Sequence, residues 1–242
     1  MKFRKNVGGQ DRSLSGWHAG GRWADQQSVP WYRLTYAVLG LFLRFWVRRF
    51  RAVGIENVPK EGGVFLVANH ESGMDPFVIG YPIPWRMIRG PGKIELFAHP
   101  IGAFYLKKIG MFPLRQDIAD SGAVRAMVEL YRKGRVVLVY PEGGRSVDGK
   151  LQPFFPDFAR LMIRLKARMI PVGVEGTYEL MPTGVHFPRF NSPVVVAFGE
   201  EFDLNQFYGG KVSDETAQEA AILLREKVAA MIALAAEVRA EL

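Results

Sequence analysis

Val64-Phe-Leu-Val-Ala68 runs straight into Asn69-His70-Glu71-Ser72-Gly73-Met74-Asp75-Pro76. Five apolar residues with no polar interruption read as a strand covered on both faces, because a half-exposed strand would alternate. Gly73 permits a tight turn and Asp75-Pro76 is a good helix start, so the segment reads strand, turn, helix. The same grammar recurs along the chain. Arg86 to Ile88, Met111 to Leu114, Val136 to Tyr140, Met169 to Val174 and Val194 to Phe198 read as further apolar strands. Helices fit between them, notably at Ala119 to Tyr131 and Phe158 to Lys166. Strand and helix in alternation imply an α/β fold, a single domain with a central, mostly covered β-sheet flanked by helices. At 242 residues the chain is long enough for one full-sized core, and nothing in its length demands a second.

The turn after the first core strand carries the chemistry. His70 and Asp75 stand at the C-terminal end of a strand, where α/β sheets bind ligands. A histidine takes a proton from a hydroxyl near neutral pH, and a carboxylate on its other ring nitrogen fixes the tautomer and steadies the imidazolium. Asp75 also has a purely structural reading, as N-cap of a helix with Pro76 in the first position. The two are compatible, since one carboxylate oxygen can accept a backbone N–H while the other holds the imidazole. A second strand end, Tyr140-Pro141-Glu142-Gly143-Gly144-Arg145-Ser146, offers paired glycines whose N–H groups converge on an anion and an arginine for a bidentate phosphate contact. A plain reverse turn explains the same glycines. A third, Gly110 to Gln116, contributes Arg115, which a solvated surface position explains equally well.

Taken together and in order, these segments resemble the lysophosphatidic acid acyltransferases (1-acylglycerol-3-phosphate O-acyltransferases) and the wider glycerolipid acyltransferase superfamily, over about residues 54 to 182. His70 and Asp75 match the family's His-x4-Asp motif, and Asn69 the Asn before it. Tyr140 to Ser146 is similar to Phe-Pro-Glu-Gly-Thr-Arg-Ser, and Ile170-Pro-Val-Gly173 to the last, Pro-containing block. The resemblance implies a glycerol-3-phosphate acyltransferase-like fold and a direct transfer, with His70 as general base on the acceptor hydroxyl and Asp75 orienting it. Asn69, Arg115, Glu142, Gly143, Gly144, Arg145 and Ser146 are then the expected substrate-binding residues, with Glu142 holding an arginine or a hydroxyl. It further implies acyl-CoA or acyl-carrier protein as donor, and a lysophospholipid as acceptor. The first candidate acceptor is 1-acyl-glycerol-3-phosphate, giving phosphatidic acid, with no cofactor and no covalent intermediate. Ser72 reads as a turn residue.

The chain departs from the family pattern at three places. Gly144 stands where Thr is usual, Phe155 and Asp157-Phe158 stand where Lys and Gly-Ala follow Pro-Phe, and the arginine of the second block falls one place later in the family, at Gln116. These departures bear on the acceptor, so another lyso-lipid or glycolipid of the same superfamily remains open, as does a non-catalytic membrane module.

The absence of cysteine excludes disulfides, thiolate catalysis and a thiolate zinc site. The four histidines, His18, His70, His99 and His186, show no ligand-like spacing, so no metal is expected. A formal charge of +8 points to a polyanionic partner. The apolar run from Tyr36 to Leu43 is far shorter than the about 20 residues that a bilayer span needs. On a helix, Arg33, Arg44, Arg48 and Arg51 share one stripe about 60° wide, with Trp31, Phe42, Phe45 and Trp46 in the apolar remainder. That pattern predicts a monotopic helix in the interface of an anionic membrane, on its cytoplasmic face, with a core helix as the plain alternative. Arginines on an apolar helix, instead of along a polar groove, argue against nucleic acid. The expected organisation is a flexible segment at 1–30, an interfacial helix at 31–53, the acyltransferase domain at 54–212 and a C-terminal helix at 213–242 packed on it. Ser213 is that helix's expected N-cap, with Asp214 and Glu215 in its first turn.

Overall fold

The computed structural model describes residues 27–47, 49–115, 120–185, 187–190 and 192–242. Its seven strands are β1 (Phe50–Val53), β2 (Val64–Ala68), β3 (Ile88–Lys93), β4 (Met111–Leu114), β5 (Val136–Val139), β6 (Met169–Glu175) and β7 (Val194–Phe198). They form one sheet in the order β1-β7-β6-β2-β5-β3-β4. From β6 to β4 all neighbours are parallel, while β7 runs antiparallel to β6 and β1 pairs with β7 in parallel. The parallel block brings the C-terminal ends of β2, β5, β3 and β4 to one edge. The helices are α1 (Val29–Phe42), α2 (Asp75–Gly80), α3 (Pro100–Lys108), α4 (Ser121–Arg132), α5 (Pro156–Leu165), α6 (Thr177–Leu180) and α7 (Asp214–Ala240).

Every residue of β2, β5 and β7 is buried, which is why their sequences do not alternate. The pleat of β2 sends Phe65 and Val67 to one face, where they meet Leu130 of α4, Met162 of α5 and Leu224 of α7. It sends Leu66 and Ala68 to the other, against Leu39 of α1 and Val78 and Ile79 of α2. Burial of a large apolar side chain contributes about 1.5–3 kcal/mol, so these two layers hold the sheet between them.

The N-terminal elements differ from expectation. Gln27 Nε2 donates to the carbonyls of Ile88 and Ile109 at 3.1 Å each, and α1 starts at Val29, so the last residues of the segment expected to be flexible are tied to the fold. Residues 1–26 lie outside the described residues. The helix ends in a π-helical turn, Leu43–Val47, and Phe50–Val53 is a strand, so the helix expected over 31–53 is too long. That strand exists because Phe50 pairs with Val194 on β7, a partner far away in sequence that a four-residue run does not announce. Arg51 belongs to it and lies 3.6 Å from Glu241, while Arg48 is outside the described residues. The four arginines therefore do not form one helical stripe. Tyr32, Leu39, Leu43 and Val47 are buried, whereas Leu34, Val38, Leu41 and Phe45 are exposed, so the helix has both a core face and a bare apolar one.

β3 is displaced as well. Arg86 stays out of the strand because its buried guanidinium donates to the carbonyls of Pro59, Gly62 and Gly134 at 2.6, 2.6 and 3.0 Å. The strand instead runs through Gly90-Pro91-Gly92, residues that normally punctuate strands. Proline is tolerated there because β3 pairs with β5 only at Ile88 and Arg89, and its later residues pair with β4 alone.

Ser213 caps α7, its Oγ accepting from the N–H of Thr216 at 3.2 Å. The helix lies on β6 and β7 so closely that a Cβ on Gly173 would stand 2.2 Å from the main-chain carbon of Met231. Gly173→Ala is expected to lift α7 from the sheet at a cost of at least the about 1–3 kcal/mol of an overpacked core. A denaturant or thermal melt checks this, and an unchanged midpoint would contradict the close seating.

Candidate active site

The strand edge is assembled by side chains that replace missing backbone partners. The β2–β6 ladder reaches Ala68 opposite Val172. One step further, the buried Asn69 side chain continues it, Nδ2 donating to the Val174 carbonyl at 2.9 Å and Oδ1 accepting from the Val174 N–H at 2.8 Å. Asn69 thus braces the strands and is closed off from a substrate.

Asp75 is fully buried and is the first residue of α2, with Met74 in the cap position. Its Oδ2 accepts from the N–H groups of Glu71 and Ser72 at 2.7 and 2.9 Å and lies 2.8 Å from His70 Nδ1. Its Oδ1 accepts from the Thr177 hydroxyl at 2.6 Å. The carboxylate therefore closes the turn before the helix and does not cap the helix, and one oxygen serves both the backbone and the imidazole. Ser72 is also buried, its Oγ donating to the Met181 carbonyl at 2.8 Å and accepting from the Met74 N–H at 3.2 Å.

His70 is held through its main chain. Its N–H donates to Glu142 Oε1 at 2.7 Å, and its carbonyl accepts from the N–H of Ser146 at 2.7 Å. Tyr140 lies flat on the imidazole, with ring centroids 3.9 Å apart and planes 10° from parallel. Glu142 Oε2 accepts from the N–H of Gln152 at 2.8 Å, so this carboxylate holds two backbone groups and not the arginine or hydroxyl expected of it. Burial pushes its pKa up, opposed by the N–H groups of Gln152 and His70. Ser146 is buried and donates to Asp148 Oδ1 at 3.0 Å.

Beside His70 opens a pocket of about 510 Å³ whose wall includes Pro76, Phe77, Leu106, Met111 and Leu138. Gly143, Gly144 and the exposed Arg145 line it too. A Cβ on Gly144 would meet nothing within 4 Å, so the space for the family's threonine is present and vacant. Leu114 lines the pocket but Arg115 is not part of its wall; the Arg115 N–H donates to Asp120 Oδ2 at 3.1 Å, and Asp120 caps α4. Gln116 lies outside the described residues.

Of the residues expected at the site, the structure brings His70, Asp75, Gly143, Gly144 and Arg145 to the pocket region and uses Asn69, Glu142 and Ser146 as framework. Thr177, Tyr140 and Glu71 were not singled out by sequence. Thr177 reaches Asp75 because Gly176, at φ 91°, turns the chain sharply after β6. A polar residue at a strand end was the available signal, but that β6 neighbours β2 is a fact of topology.

Comparison with known proteins identifies the family. The chain is 29% identical over 135 residues to a chloroplastic 1-acyl-sn-glycerol-3-phosphate acyltransferase of Brassica napus, covering 54% of this chain and 38% of the relative. It is 27% identical over 122 residues to the 1-acyl-sn-glycerol-3-phosphate acyltransferase of Bacillus subtilis, covering 50% and 60%. The chain spans less than two thirds of the length of these relatives. Among solved structures, the 1-acyl-sn-glycerophosphate acyltransferase of Thermotoga maritima superimposes with a TM-score of 0.65 at 25% identity, over 84% of this chain and 79% of that one. The profile of the acyltransferase family matches residues 49–175, more than half of the sequence, and the chain belongs to that family.

Proposed function

We propose that the protein moves a fatty acyl group from acyl-CoA or acyl-carrier protein to the free hydroxyl of a lysophospholipid, with 1-acyl-glycerol-3-phosphate as acceptor and phosphatidic acid as product. The observation that carries this reading is His70 on the wall of a largely apolar pocket, with its Nδ1 2.8 Å from the buried Asp75 behind it. With the Nδ1–H of His70 donated to Asp75, Nε2 is the basic nitrogen of the ring. It takes the proton of the acceptor hydroxyl as that oxygen attacks the thioester carbonyl. Collapse of the tetrahedral intermediate breaks the C–S bond, and the imidazolium returns its proton to the departing thiolate. Base catalysis of this kind contributes about 10²- to 10⁴-fold. The Ser72 hydroxyl is committed to the Met181 carbonyl, in keeping with a direct transfer. Arg145 serves the acceptor phosphate, and the names of the relatives support the acceptor assigned.

The acceptor and product live in a bilayer, and α1 is the element suited to meet it. Leu34, Val38 and Leu41 form one exposed stripe at helical spacing, flanked by the exposed Arg33 and Arg44. Thr35 and Tyr36 of the same helix line the pocket, so the surface offered to lipid and the wall of the pocket are two sides of one element. No described helix is long and apolar enough to cross a membrane. The reading adopted is interfacial seating on the cytoplasmic face of an anionic membrane.

Incubation with acyl-CoA and a panel of lyso-lipids, read by mass spectrometry, is expected to yield phosphatidic acid from 1-acyl-glycerol-3-phosphate. Free fatty acid with no diacyl product would mean a hydrolase, and a different favoured lyso-lipid would reassign the acceptor. Leu34→Gln, Val38→Gln and Leu41→Gln together are expected to release the protein from anionic liposomes and to slow turnover on bilayer acceptor more than on a soluble short-chain one. Undiminished liposome binding would place the membrane contact on another face. Truncation is no substitute, because the inner face of α1 is core and β1 belongs to the sheet.

A further inference from the structure

Glu71 directly follows the proposed base, yet the transfer chemistry does not use its side chain. It is 5% exposed, with Oε1 accepting from Asn69 Nδ2 at 3.0 Å and Oε2 accepting from the Tyr178 N–H at 3.3 Å. Thr177 Oγ1 stands between two carboxyl groups, 3.4 Å from Glu71 Oε2 and 2.6 Å from Asp75 Oδ1. A threonine hydroxyl has one hydrogen. At 2.6 Å that hydrogen belongs to Asp75, so an ionised Glu71 would turn a second carboxylate towards the lone pairs of the Thr177 oxygen at 3.4 Å, whereas a neutral Glu71 can point its O–H at them.

We propose that Glu71 is a positioning residue which, as a neutral acid, donates to Thr177 and thereby keeps the Thr177 hydroxyl hydrogen on Asp75 and the Asp75–His70 pair in its working orientation. This deepens the acyl-transfer reading and rests on it. The surroundings favour the neutral acid. Burial is the main cause, followed by the charges of Asp75 on α2, Glu175 at the end of β6 and Glu179 on α6, with the Tyr178 N–H opposing them. The carboxyl is pushed up to about 9. Among the described residues, the guanidinium of Arg239 on α7 pairs with the outer two acids, at 3.3 Å from Glu175 and 3.2 Å from Glu179. When Glu71 ionises, the Thr177 hydrogen has two carboxylates to serve and Asp75 no longer holds it alone.

The folded protein holds this proton between about 4.5 and about 9 while the unfolded chain does not, so wild-type stability falls as pH rises through that window. Glu71→Gln is expected to remove that fall.

Infrared difference spectroscopy of the substrate-free protein, on raising pH from neutral to above about 9, is expected to show loss of a protonated-carboxyl band that Glu71→Gln lacks and Thr177→Val retains. Turnover of the wild type is expected to drop about tenfold per pH unit above that point, as for a required single proton. Glu71→Gln and Thr177→Val are each expected to flatten this alkaline limb. A wild type without the band at neutral pH, or an alkaline limb that persists in Glu71→Gln, overturns the proposal. Should Glu71→Gln fail to fold, Thr177→Val decides, a persisting limb counting against the proposal and a flattened one for it. The infrared arm needs no substrate, so its failure is distinguishable from failure of the acyl-transfer reading.

Discussion

A carboxylate taken fully out of water must have its lone pairs occupied by donors, and at Asp75 that requirement organises the site. Its four donors come from the turn after β2 and from the start of α6, elements more than a hundred residues apart in sequence. Satisfying them ties the C-terminal edge of β2 to that of β6 and curls residues 70–75 into one conformation. The imidazole is the only donor of the four on a residue that also borders the pocket. The demand of a buried charge for partners is thus what aims His70.

Several residues expected to serve the substrate turn out to be ligands for the backbone. Asn69 extends a strand ladder, Glu142 takes the N–H groups of His70 and Gln152, and the N–H of Ser146 closes on the carbonyl of His70. The Pro-Glu-Gly-Gly-Arg-Ser segment therefore docks the histidine loop from below and leaves its glycines and Arg145 on the pocket wall. On the reading proposed, recognition falls to fewer residues than the motif contains.

The core strands were legible because burial on both faces leaves a continuous apolar run. β2, β4 and β7 lie where their sequences place them, and β5 and β6 to within a residue. Elements whose stability comes from distant partners were not legible. β1 depends on β7, the glycine- and proline-containing β3 depends on β5 and β4, and α1 reads as apolar nearly all round although only one side of it meets the core. At the site, the His70 and Asp75 pair was readable from spacing, since five residues and a turn can close on themselves. Thr177 and Glu71 were not, because their roles arise from a neighbouring strand and from the low polarity of a packed interior. Arg115 shows the converse, a charged strand-end residue in plain view whose N–H meets a helix cap and which is not part of the pocket wall.

The turnover of His70→Ala on a soluble short-chain acceptor, measured beside its melting temperature, tests the central claim most directly. The fold should persist, because the main-chain groups of residue 70 still meet Glu142 and Ser146, while turnover falls on the order of 10²-fold or more with the base removed. A folded variant with near wild-type turnover would contradict the assignment of His70 as the base and, with it, the chemistry built on Asp75.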